Sequence, residues 1–309
     1  MTILYTHPSS KNHETPMGHP ERIARIEAIE EELSKSAFDK LVRKQAPMGL
    51  EEQVLLSHPQ RYFDRIKSSI PAQGIKQLDA DTHVSPGSFE AAMHGVGAVC
   101  AAVDDVLSGA EKNAFCATRP PGHHAETETS MGFCLFGTIA IAAKHALASG
   151  LERIAIVDFD VHHGNGTQDL CWTDDRIFFV SSHQMPLWPG SGDVSETGAH
   201  GNILNYPLRP YSTGTDLMAA YEAEILPRMA EHKPELLLIS AGFDAHADDP
   251  LANLNFTTQE FAEITRMLCT FAQEHCEGRV VSTLEGGYDL DALAASVAAH
   301  VDVLMEFGT

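Results

Sequence analysis

Six short apolar runs rich in β-branched residues recur along this chain, and longer segments of helical periodicity separate them. The runs cover 3–5, 114–117, 154–159, 177–181, 236–240 and 279–284. Apolar residues spaced for a helix face fill 20–36, 86–108, 133–149, 215–232, 257–276 and 290–307. Thr215 or Asp216, Thr257 and Asp289 are the expected helix starts, and Gly109, Gly150 and Gly278 the expected stops. Strands that are apolar throughout, alternating with helices, require a sheet covered on both faces. The pattern predicts an α/β fold with a mainly parallel central sheet flanked by helices on both faces. No linker or internal repeat divides the chain, so 1–309 reads as one domain.

Polar clusters follow five of these runs, at 119–125, 158–166, 181–183, 242–249 and 285–288, and all but 181–183 contain glycine. In an open parallel sheet, ligands bind in the crevice beyond the carboxyl ends of the strands. Five such clusters on one edge therefore predict a site there.

Composition narrows what that site serves. The chain has 21 Lys and Arg against 43 Asp and Glu, a formal charge of -22. Such a surface repels phosphate backbones and anionic lipid, which argues against nucleic-acid or membrane partners, and it attracts cationic peptides or polyamines. The cysteines at 100, 116, 134, 171, 269 and 276 form no CxxC pair, as expected of small buried residues in a reducing compartment. The first residues lack the basic and apolar regions of a secretory signal, and no apolar run approaches bilayer length. A cytoplasmic protein is the expectation. A homo-oligomer is allowed but not specified.

The densest chemistry lies in Val157-Asp158-Phe159-Asp160-Val161-His162-His163-Gly164-Asn165-Gly166-Thr167. Alternate strand residues share a side, so Asp158, Asp160 and His162 are expected to project together. Carboxylates beside a buried strand are costly unless a positive charge compensates them. Asp160 and His162 are thus candidate metal ligands, and Asp244 from the 240–244 strand end is a candidate third. Two oxygens and one nitrogen with an open position suit catalytic zinc, and iron(II) also fits. The competing view is that Asp160 caps a helix and His162 is an ordinary loop histidine. Arg119-Pro120-Pro121-Gly122-His123-His124-Ala125 offers two imidazoles for proton transfer, with Asp158 and Asn165 available to orient them. Tyr288, after Gly286-Gly287, is either an oxyanion donor or rim packing. Gly132-Phe133 and Leu187-Trp188-Pro189 are either walls of an apolar slot or core aromatics.

Taken together, the RPPGHHA, GFCLF, DFDVHHGNGTQ, SAGFDAHADDP and LEGGY stretches resemble the histone deacetylase and acetylpolyamine amidohydrolase family, in its order and spacing. The likeness runs from Gly18-His19-Pro20-Glu21-Arg22 to the final helix, and Asn165 resembles the class II branch. The resemblance implies an arginase-like α/β fold and zinc on Asp160, His162 and Asp244. It implies His124 as general base and acid, His123 oriented by Asp158, and Tyr288 polarising the acyl carbonyl. Gly132, Phe133, Trp188 and Leu251 would line the substrate tunnel, with Trp188 where phenylalanine is common. His163 is left as support behind the ligands. Structural potassium would use Asp158, Asp160, His162, Ser181 and a carbonyl of Ser182, with a second ion near Cys171, Asp174 and Ile177.

The implied reaction is hydrolysis of an acetyl or other short acyl group from a lysine side chain. Acetylpolyamines are the alternative substrate. Leu251 after Asp249-Pro250 favours lysine, whereas Trp188 and the acidic surface favour polyamines. An arginase-type ureohydrolase needs two bridged metals, and Gly164 and the single acid in Asp244-Ala245-His246 do not supply the extra carboxylates. A non-catalytic acyl-lysine binder is disfavoured because Tyr288 and all three ligands are present. Residues 7–19 and 79–85 are expected at the rim, and Arg25 on solvated helix surface rather than along an interior channel.

Overall fold

Ten strands organise residues 1–308, described here from a computed structural model. They are β1 (Thr2–Thr6), β2 (Val42–Gln45), β3 (Lys76–Gln77), β4 (His83–Val84), β5 (Asn113–Cys116), β6 (Ile154–Asp158), β7 (Ile177–Gln184), β8 (Ile203–Leu208), β9 (Leu236–Ala241) and β10 (Val280–Leu284). Eight of them form one sheet in the order β2-β1-β5-β10-β9-β6-β7-β8, and every pairing in it is parallel. β3 and β4 make a separate antiparallel pair.

The side-chain period of two divides the core. Ala155 and Val157 of β6, with Leu237 and Ile239 of β9, enter one apolar cluster. Ile154 and Ile156, with Leu236 and Leu238, enter the other on the opposite face. Helices Ile23–Leu33, Thr258–His275 and Leu290–Phe307 cover the first face. Helices Gln60–Ser69, Ser88–Leu107 and Thr138–Ala148 cover the second. The central strands are buried at every position. The edge strand β2 alternates half-buried and exposed residues instead.

Several boundaries differ from the expectation. β2 and β8 were not predicted, because Val-Arg-Lys-Gln and Ile-Leu-Asn-Tyr-Pro-Leu lack an unbroken apolar run, and Pro207 is tolerated on an edge. The helix expected from 133 begins at Thr138, because Gly132 and Phe133 take positive φ of 57° and 69° in a tight loop. The helix expected from 215 is capped by Thr213, with Asp216 bonding back to the cap, and it passes through a π-helical turn at Tyr221–Ile225.

Thr257 caps its helix as expected. Its hydroxyl oxygen accepts from the Glu260 backbone N–H at 3.3 Å, and the Glu260 carboxylate accepts from the Thr257 N–H at 2.8 Å. Thr257→Ala is expected to lower unfolding stability by about 1 kcal/mol in urea titration. An unchanged midpoint would mean the cap contributes nothing.

Candidate active site

The last two strands of the sheet, β9 and β10, insert between β5 and β6. The loop after β9 is therefore set beside the loop after β6, and the loop after β10 faces the one after β5. Four segments far apart in sequence meet at the carboxyl edge.

Asp160, His162 and Asp244 are brought together there, each buried, with ligand atoms all within 4.8 Å of one another. His162 Nδ1 lies 3.2 Å from Asp160 Oδ1 and 3.0 Å from Asp244 Oδ2. Backbone amides hold the carboxylates: Gly286 N–H donates to Asp160 at 2.8 Å and Val161 N–H to Asp244 at 2.9 Å. Burial, with Asp160 alongside, pushes the Asp244 carboxyl up to about 7. Two carboxylates repelling one another in a dry site, with an imidazole between them, are the donor set and the charge imbalance that a divalent cation relieves. The residues fit a metal.

The tandem histidines sit against this cluster with ring centroids 3.8 Å apart, each on its own partner. His123 Nδ1 is 2.9 Å from Asp158 Oδ2, and His124 Nδ1 is 2.8 Å from Asn165 Oδ1. Asn165 donates through Nδ2 to Glu126 Oε1 at 2.8 Å, which orients its amide oxygen toward His124. An amide oxygen only accepts, so Nδ1 of His124 carries the proton and Nε2 the lone pair. Burial disfavours charge on both rings. At His123 the carboxylates Asp160 and Asp158 outweigh burial and hold the imidazolium well above its ordinary range. At His124 burial, His123 and His162 drive the pKa well below it. Neighbouring residues are thus tuned in opposite directions.

A narrow cavity of about 200 Å³ opens onto these groups, lined among others by His124, Gly132, Phe133, Trp188, Leu251 and Tyr288. The four expected tunnel residues all line it. Trp188 meets His124 edge-on, with centroids 4.7 Å apart. Gly132 has no room for a side chain, since a Cβ there would lie 2.3 Å from His124 Cδ2 and 2.7 Å from Trp188 Cη2. Tyr288 is only 8% exposed. Burial first, then Asp244, raises its phenol well above the usual range, so it stays protonated as a donor.

Four features of the site were not legible in the sequence. Arg25, expected on the surface, is fully buried. It donates to the carbonyls of Gly287 and Glu285, each at 2.6 Å, and its guanidinium lies 5.0 Å from the Tyr288 ring centre. Its charge is balanced by Glu21, which also holds buried Arg119. Glu285 accepts from the N–H groups of Gly122 and His123 at 2.7 and 3.1 Å, locking the histidine turn to β10. Asp249 accepts from Tyr288 N–H at 2.7 Å. Asp81, within the expected rim segment, lines the cavity and accepts from Gly132 N–H at 2.9 Å. A helical arginine is ordinarily read as solvated, and nothing local marks these acids as acceptors for the backbone of distant site segments. His163, expected as support, bonds Ser191 at 2.8 Å and Gln168 at 3.1 Å rather than the cluster.

Asp158 sits at β6 in register with Ser181 of β7 and Ser240 of β9. Ser182 Oγ donates to the Asp158 carbonyl at 3.2 Å, and the carbonyls of Asp160 and His162 accept no hydrogen bond among the described residues. That leaves oxygens for the first expected potassium.

No described helix is long and apolar enough to cross a membrane.

A model of the histone deacetylase domain matches residues 19–304. A probable deacetylase from Archaeoglobus fulgidus is 37% identical over 297 residues, spanning 94% of this chain and 82% of that protein. A histone deacetylase-like amidohydrolase from Pseudomonas aeruginosa is 39% identical over 254 residues, spanning 81% and 67%. The crystal structure of the HDA15 HD domain superposes with a TM-score of 0.94 at 30% identity, covering 99% of this chain and 88% of that one. The fold, the metal-ready triad and these matches agree: the chain belongs to the histone deacetylase family.

Proposed function

We propose that this protein is a metal-dependent amidohydrolase that removes acetyl or other short acyl groups from lysine side chains of peptides or proteins. The observation that carries this reading is the narrow cavity whose walls include Phe133, Trp188 and Leu251 and whose lining also includes His124, His162 and Tyr288. An apolar slot admits an alkyl stem, and the polar groups converge on one amide. When bound by Asp160, His162 and Asp244, zinc, or iron(II) in its place, supplies Lewis acidity to the attacking water and the acyl carbonyl.

The chain's own groups move the protons and hold the charge. His124 Nε2 takes a proton from the attacking water and later delivers it to the departing amine. Asn165 keeps that ring in the required tautomer. Tyr288 donates its hydroxyl to the oxyanion as the carbonyl becomes tetrahedral. His123, held cationic by Asp158 and Asp160, adds positive potential beside the reacting centre. Water adds to the acyl carbon, the C–N bond breaks, and a carboxylate and an amine leave. Potassium on Asp158, Asp160, His162, Ser181 and Ser182 would brace β6 against β7. Asn165 beside His124 supports the class II reading.

The acetylpolyamine reading is supported by Asp81 in the cavity lining and by the net charge of -22, both suited to a second amine. The two substrates are separated by kcat/KM on an acetyl-lysine peptide and on acetylputrescine or acetylspermidine. The peptide is expected to be the better substrate, because Leu251 offers no charge for the polyamine's distal amine. A higher value on the acetylpolyamine would transfer the assignment to it.

A further inference from the structure

Between helix Asn165–Cys171 and strand β7 the backbone turns three carbonyls, those of Cys171, Asp174 and Ile177, toward one point. Nδ2 of Asn202 sits there, donating at 3.0 Å to Cys171, 3.2 Å to Asp174 and 3.1 Å to Ile177. Asn202 immediately precedes β8 and is 4% exposed. Its Oδ1 points the other way, accepting from the His200 N–H at 3.4 Å. Gly198 leaves room for that oxygen, since a Cβ there would come within 2.5 Å of it. The amide orientation follows, because the flipped form would set an oxygen against three carbonyl oxygens.

Three carbonyls from residues spaced three apart are a donor set suited to a desolvated monovalent cation, and the family resemblance implies a second potassium here. An ion ligated by these oxygens and the Asn202 nitrogen cannot share the space. The residues do not fit the ion. We propose that the Asn202 side-chain amide takes the place of a structural potassium ion at this position, so that the turn is held by a group of the chain itself.

The location gives the substitution a consequence. These carbonyls include the end of a helix, where intrahelical donors run out and the backbone dipoles leave partial negative charge. The same helix begins at Asn165, which holds His124, and the turn leads into the strand bearing Ser181 and Ser182. A dissociable ion would tie the support of His124 to the salt composition. An amide just before a neighbouring strand removes that dependence. Response to potassium is then confined to the Asp158 and Ser181 region, where the carbonyls of Asp160 and His162 accept no hydrogen bond among the described residues.

The direct test is anomalous diffraction from crystals of the full chain soaked in thallium(I), a potassium substitute. Wild type is expected to show no peak coordinated by Cys171, Asp174 and Ile177. A peak there overturns the proposal, and this measurement needs no variant to fold. The second test compares Tm in potassium chloride and in choline chloride at equal ionic strength. Asn202→Ala is expected to melt roughly 3–8 °C lower than wild type in choline. It should recover part of that loss with potassium, beyond any potassium response of wild type. A variant with the wild-type Tm and the wild-type potassium response also overturns it.

Discussion

Tyr288→Phe is expected to lower kcat roughly 10²–10³-fold, the loss typical of removing one oxyanion donor, while KM for an acetyl-lysine peptide changes little. The hydroxyl is buried and protonated beside the carboxylate cluster, so its contribution is concentrated where negative charge develops. The ring has other duties that phenylalanine preserves. It lies under the Arg25 guanidinium and meets Phe133 edge-on at 6.0 Å. Its backbone N–H still donates to Asp249. The variant should therefore fold, keep the wild-type melting temperature within a few degrees, and bind metal stoichiometrically. Steady-state kinetics and metal analysis on one preparation check this. A kcat near wild type would remove Tyr288 from the mechanism.

Asp244→Asn is expected to abolish tight metal binding and to reduce turnover more than 10³-fold, an order-of-magnitude figure that reflects loss of the Lewis acid rather than of a single hydrogen bond. Asparagine keeps the shape and can still accept from Val161 N–H, so the backbone around the site is retained. What disappears is one of two anionic ligands. The stability effect should reverse sign with metal. Chelator-treated wild type carries two mutually repelling buried carboxylates, and the variant relieves that repulsion. The chelated variant should melt at or above the chelated wild type, while metal raises Tm only in wild type. Metal content after dialysis and paired melting curves check both halves. Stoichiometric zinc retained by the variant would exclude Asp244 as an essential ligand.

Much of the candidate site was legible before any coordinate because its pieces are local. Asp158 ends one apolar strand, and Asp160 and His162 follow within four residues in the loop beyond it, past the reach of the strand period, so one short segment carries all three. His123 and His124 share one turn. The capping residues Thr257 and Asp289 act within a single helical turn. Apolar strands interspersed with amphipathic helices specify a covered parallel sheet. Edge strands escaped notice because an edge needs no continuous apolar run.

The chain's own sequence thus determined the fold class, the motifs at the strand ends and the kinds of groups that gather there. The tertiary structure alone decided which strand ends become neighbours. Inserting β9 and β10 between β5 and β6 brings Asp244 to Asp160, Glu285 to His123 and Tyr288 to the cavity. The same packing buries Arg25 against the Tyr288 ring and sets the Asn202 amide on three carbonyls. Strand order reflects the summed burial of two sheet faces, and a buried polar group is stable only with partners that distant segments supply. Neither is written in any local stretch of residues.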